Sequence, residues 1–190
     1  MYNSFSRLPI VAYNILVYLA KQDTAENIWK MLQYSDYDCL SKPNLTFSEK
    51  MNLIWRTGPQ EKFSVFLTPL VEDAITESKS TLKIYEYYIH DNDFYQSSVV
   101  YAFDFLYGGN MSLIDFDGIP ASRAAVFMNS LMATLNGAEV GGVGKLSFVS
   151  DLTRYNLAKA TIGNSKTFTG IQIFLSTKLG DSGVQSSCEN

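Results

Sequence analysis

The stretch Ser97-Ser-Val-Val-Tyr-Ala-Phe-Asp-Phe-Leu-Tyr107 decides how this chain of 190 residues folds. Val99, Tyr101, Phe103, Phe105 and Tyr107 fall on one side, and Val100, Ala102, Asp104 and Leu106 on the other. Successive side chains of a strand point to opposite faces, so a period of two over this length reads as a β-strand. Apolar groups stand on both faces, so either both are covered within the fold or one meets a partner.

Working upstream, Leu82–His90 alternates as well, with Leu82, Ile84, Glu86 and Tyr88 set against Lys83, Tyr85, Tyr87 and Ile89. Asp91-Asn92-Asp93 suits a hairpin between these two strands, and Phe63–Leu67 gives a short strand before them. Downstream, Gly108-Gly109-Asn110 turns the chain into a short strand at Met111–Phe116. A helix then interrupts the sheet. Pro120 opens it, Ala124, Phe127, Met128, Leu131 and Leu135 line one face, and Asn136-Gly137 closes it. The sheet resumes at Lys145–Val149 and at Phe168–Thr177, and the connection between them is long enough to suggest a functional role or disorder.

The first sixty residues read as helical. Ser6 caps a helix with Pro9 in its first turn, where the missing N–H costs nothing. Thr24 caps a second that carries Ile28, Trp29, Met31 and Leu32. Thr46 and Glu49 form a capping box for a third, which holds Phe47, Met51, Leu53, Ile54 and Trp55 and stops near Gly58-Pro59. The predicted class is therefore α+β: an N-terminal helical segment (1–60), then an antiparallel β-sheet with one helix inserted before the last two strands (61–180), then a flexible tail (181–190).

Composition narrows the function. Apolar residues are 46% and charged residues 18%, which excludes a disordered chain. The net charge is −4 with no adjacent basic residues, so the electrostatic footprint of a nucleic-acid binder is missing. Cys39 and Cys188 form neither a disulfide framework nor a metal motif, which points to a reducing compartment. The apolar run Leu8–Ala20 would span about 20 Å as a helix, short of the roughly 30 Å of a membrane core. It reads as a buried or partner-docked helix rather than a membrane span or signal peptide.

Motifs for catalysis or cofactors are poor. His90, the single histidine, precedes Asp91-Asn92-Asp93 and reads as a turn residue rather than a base oriented by an aspartate. A nucleophile elbow is absent, and Cys39 lacks a local catalytic motif. Asp115-Phe116-Asp117-Gly118 begins like a calcium loop but lacks the later ligands, so it reads as a turn placing negative charge before the next helix. The stretch from Gly137 to Lys145 fails as a phosphate loop: Glu139 stands where a glycine is required and Leu146 where Ser or Thr is. No catalytic, cofactor or metal residue is therefore assigned, and no cofactor is expected. A hydrolase built on Asp104 or Asp115 is the weakest alternative.

The 12 Tyr and 12 Phe instead suggest contact surface, because tyrosine combines apolar area with a polar tip. Candidate interface residues are Tyr85, Tyr87, Tyr101 and Tyr107 on the two long strands, with Arg154, Tyr155 and Lys159 in the long connection. The order strand, two long strands, helix, strand, loop, strand resembles the tail-completion and tail-terminator proteins of tailed bacteriophages. The matching pieces are Leu82–His90, Ser97–Tyr107, the helix Ala121–Asn136, Lys145–Val149 and the strand that ends at Ser176 after Thr169-Gly170. The helical first sixty residues and the extra strand before Gly118 depart from that pattern. The resemblance implies a non-enzymatic virion protein, assembled in the host cytoplasm. It would form a homo-oligomeric ring in the neck, or head–tail connector, and touch portal and tail proteins but no membrane. The alternative is a small-molecule or peptide-binding α+β domain with an aromatic pocket between sheet and helices.

Overall fold

The structure, a computed structural model, describes residues 8–69, 78–91, 96–141, 143–150 and 168–180. Its centre is a five-stranded sheet in the order β1-β2-β3-β7-β6. The strands are β1 (Val65–Phe66), β2 (Thr81–Asp91), β3 (Gln96–Gly108), β6 (Ser147–Phe148) and β7 (Phe168–Gly180). A separate hairpin is made by β4 (Leu113–Phe116) and β5 (Ile119–Ser122). Four α-helices, α1 (Leu8–Lys21), α2 (Glu26–Gln33), α3 (Phe47–Asn52) and α4 (Arg123–Leu135), complete an α+β fold. None of the described helices is long and apolar enough to cross a membrane.

The deciding stretch is the central strand. β3 pairs antiparallel with β2 on one side and with β7 on the other over its whole length. Tyr101, Phe103 and Phe105 are fully buried on the face that packs against the helices, with Phe105 stacked on Phe127 of α4 at 4.1 Å and 3°. Burying one such ring is worth roughly 1.5–3 kcal/mol. One continuous core joins Ile15, Leu16 and Leu19 of α1 and Ile28 and Trp29 of α2 to these strands and to Phe127 and Leu131 of α4. The core thus runs across the change of period near residue 60.

Several local expectations give way to tertiary pairing. The alternation along β2 breaks at a β-bulge between Glu86 and Tyr88. Beyond it Tyr88 lies opposite Val100, and Ile89 opposite Val99, so both have exchanged the faces that strict alternation assigned to them. An extra residue in one strand shifts the pleat by one. β1 runs parallel to β2, which makes the sheet mixed rather than wholly antiparallel. The strand expected at Met111–Phe116 joins β5 and not the main sheet.

The helices start and stop for similar reasons. Thr24 does not cap α2; its hydroxyl lies 2.8 Å from Thr134 Oγ1 on α4, and α2 follows a single 3-10 turn instead. The capping box of α3 forms as read, with Glu49 N donating to Thr46 Oγ1 and Thr46 N to the Glu49 carboxylate. That helix ends at Asn52, short of Gly58. The Leu53 carbonyl accepts from Ser64 and Val65, and Trp55 N donates to the Val65 carbonyl, so this segment pairs with β1 rather than continuing the helix. Pro120 opens no helix. It sits in β5 opposite Asp115, a position that needs no donor from it, and α4 begins three residues later at Arg123.

Candidate functional site

The sheet face opposite the helices carries the polar chemistry. Alternation places Lys83 and Tyr85 of β2, Val100, Ala102 and Asp104 of β3, and Gln172 and Phe174 of β7 on this side. Val100, Ala102, Phe174 and Val149 form a small second cluster against which Tyr85 packs. On the same face Asp104 is buried and accepts two hydrogen bonds, one from the Tyr85 hydroxyl at 3.0 Å and one from Gln172 Nε2 at 2.7 Å. Gln172 Nε2 also lies 3.3 Å from the Tyr85 oxygen, so three residues from three neighbouring strands close a ring.

Burial dominates the electrostatics of this ring. It pushes the Asp104 carboxyl above its ordinary range, although the Gln172 and Tyr85 donors and the charge of Lys83 pull the other way. The Tyr85 phenol is pushed up by burial and then by the neighbouring carboxylate. Lys83 is pushed down by burial, partly offset by Asp104, and its ammonium donates to the Pro69 carbonyl at 3.3 Å. Asp104 has both oxygens bonded to protein donors, which is the arrangement of a cross-strand clasp. Lys83 and Tyr85 are the titratable neighbours that act on it.

The candidate interface residues separate into three groups. Tyr87 is 46% exposed and packs edge-on against Phe174 with ring centres 5.0 Å apart, while Tyr85 is half-buried beside it. Tyr88 and Ile89 continue the exposure along β2, and His90 stacks on Tyr88 at 6.4 Å. Tyr101 and Tyr107, in contrast, are 0% and 4% exposed on the helix-covered face. These two are core residues and cannot offer their rings to a partner without opening the fold. Arg154, Tyr155 and Lys159 lie outside the described residues.

The space between sheet and helices, where an aromatic pocket was the alternative, is filled by Tyr101, Phe103, Phe105 and Phe127. The Tyr101 hydroxyl has no hydrogen-bond partner there, and burial raises its pKa. Asp115-Phe116-Asp117-Gly118 forms the β4–β5 turn, with Asp117 and Gly118 at φ 53° and 83°, the left-handed pair that a tight hairpin requires. Glycine also serves the stretch after α4: Gly137 and Gly141 have φ 85° and 61°, and the chain turns back toward β6.

Sequence reasoning missed Arg123. It is fully buried at the start of α4, yet no carboxylate among the described residues bonds it. Its guanidinium donates to the carbonyls of Met31, Tyr34, Ser35 and Asp36, to the Ser80 hydroxyl at 3.0 Å and to Cys39 Sγ at 3.7 Å. These include the unpaired carbonyls at the end of α2, where a cation also meets the negative end of the helix dipole. Cys39 is buried against it, and desolvation pushes its thiol pKa up more than the arginine pulls it down. Nothing in a lone Arg between Ser122 and Ala124 signals this role.

No curated protein and no solved structure matches the chain. A family model does, over residues 25–177, from the start of α2 through most of β7. The family is named after a gene of SPbeta-type Bacillus phages, which points to a phage origin. The match takes in most of the chain, which therefore belongs to the YomW family.

Proposed function

We propose that the protein is a structural subunit of a phage particle, a ring-forming component of the neck that joins head and tail through contacts with copies of itself and with other particle proteins. The role requires shape and adhesive area and no substrate turnover. One observation carries it: at and beyond the bulge β2 exposes Tyr87, braced against Phe174, and Tyr88, which lies opposite Val100 on the sheet face away from the helices. Exposed aromatics that are rigidly held are favoured contact residues, since little side-chain freedom is lost when they bind. The phage origin of the family supports the same reading.

Light scattering coupled to size-exclusion tests it. The purified chain should show a concentration-dependent assembly several protomers in size, and Tyr87→Ser should shift it toward the protomer with unchanged circular dichroism. A protein that stays monomeric up to its solubility limit, in the wild-type and variant forms alike, overturns self-assembly.

A further inference from the structure

A second exposed apolar surface lies away from β2, on the β4–β5 hairpin. Leu113, Phe116 and Ile119 are 56%, 37% and 66% exposed, and Phe116 and Ile119 are cross-strand partners beside the turn. The amide of Asp115 donates to the Tyr37 carbonyl at 2.8 Å, which holds the loop after α2 alongside β4 and adds Tyr37, itself 50% exposed. Two elements far apart in sequence thus present apolar side chains in one neighbourhood.

The charge around this surface has one sign. Asp115 and Asp117 belong to the hairpin, and neither has a cationic partner among the described residues. The basic side chains of the same elements are all engaged. Arg123 and Lys30 are buried on backbone carbonyls, and Lys42 lies 3.0 Å from Asp38 and 3.8 Å from Asp36. A second copy docked here across a two-fold axis would bring Asp115 and Asp117 against their own counterparts, which is unfavourable.

We infer that the β4–β5 hairpin and the Tyr37 loop form a docking surface for a different protein, one that offers an apolar groove bordered by lysine or arginine. Phe116 and Ile119 enter the groove, and the hairpin carboxylates meet its basic rim. The surface is complete on one protomer, so the inference stands whether or not the chain forms rings.

Two synthetic amphipathic helical peptides serve as probes, one built of leucine and lysine and the other of leucine and glutamate, with binding read by fluorescence anisotropy. The leucine–lysine peptide should bind. The double variant Phe116→Ser/Ile119→Ser should weaken it at least about tenfold, as loss of a contact centre does. Asp117→Asn keeps a residue that tolerates the left-handed turn and should weaken binding by about threefold, with the loss vanishing at high salt. Ile10→Ser/Tyr13→Ser, on the exposed side of α1, should leave binding unchanged; circular dichroism confirms that each variant is folded. The inference is overturned if the leucine–glutamate peptide binds equally well, or if the α1 variant loses as much as the hairpin variant. It is also overturned if the hairpin variant lowers self-association and leaves peptide binding intact, because the occupant is then a second copy.

Discussion

Arg123 Nη1 lies 3.2 Å from the Met31 carbonyl, a bond between two residues 92 positions apart that ties the first turn of α4 to the last turn of α2. Because the same guanidinium also reaches Tyr34, Ser35, Asp36 and Ser80, it holds a helix end, a loop and the approach to β2 together. Arg123→Ala orphans several buried carbonyls, each costing about 1–3 kcal/mol when left unmade, so a loss above roughly 3 kcal/mol is expected. Arg123→Lys should recover little, since a compact ammonium has three donors and no planar fork. Urea denaturation followed by circular dichroism reads both values, and full rescue by lysine would contradict this account.

The Asp104 ring predicts a pH dependence of definite sign. The folded pKa lies above the unfolded one, so the native state binds this proton more tightly. The resulting stabilisation is full below the unfolded value of about 4 and is lost as pH rises through the folded value. Asp104→Asn removes that loss and can still bond Tyr85 and Gln172. The stability of the variant relative to wild type should therefore rise from pH 4 toward neutrality and then level off. Denaturation midpoints at several pH values check it, and a constant difference would exclude the mechanism.

Lys50 and Glu26 form an ion pair at 2.5 Å with both side chains nearly buried, and Lys50 also reaches the Ala20 carbonyl at the end of α1. Glu26 in turn accepts from the Leu45 amide, so the pair links all three N-terminal helices. Lys50→Met alone leaves a buried carboxylate unpaired and should cost about 3–5 kcal/mol, whereas Lys50→Met with Glu26→Gln should cost less. A double-mutant cycle measures the difference.

Gly170 of β7 stands where a side chain has no room. A Cβ placed there would meet the Phe105 carbonyl at 2.2 Å and Leu106 Cδ2 at 2.8 Å. The obstacle is strand backbone, which cannot swing aside as a side-chain tip can. Gly170→Ala should therefore destabilise by about 1–3 kcal/mol, the usual cost of overpacking, although alanine is otherwise the better strand former. A thermal midpoint equal to wild type would show that the two strands separate readily.

What the sequence made legible follows from the range of the forces involved. Period-two patterning identified β2 and β3 because each strand has apolar residues that must face the core, and the Thr46–Glu49 box was visible because both partners lie within one turn. The Glu86–Tyr88 bulge was not visible, because it depends on register against β3. For the same reason, Tyr101 and Tyr107 looked like interface candidates: composition cannot say which face of a strand the helices will cover. The Asp104–Gln172 bond joins residues 68 apart, and the Arg123 bonds to Met31, Tyr34, Ser35 and Asp36 join residues even farther apart, beyond any local motif.

β7 lies between β3 and β6, although among the described elements it is the last in chain order. During synthesis, β3 must therefore wait with one bare edge until residues 168–180 have emerged, and pairing over such a separation is intrinsically slow. In that interval a neighbouring nascent chain can supply the missing strand, so the same geometry that locks the finished sheet leaves the growing polypeptide open to exchange and to aggregation.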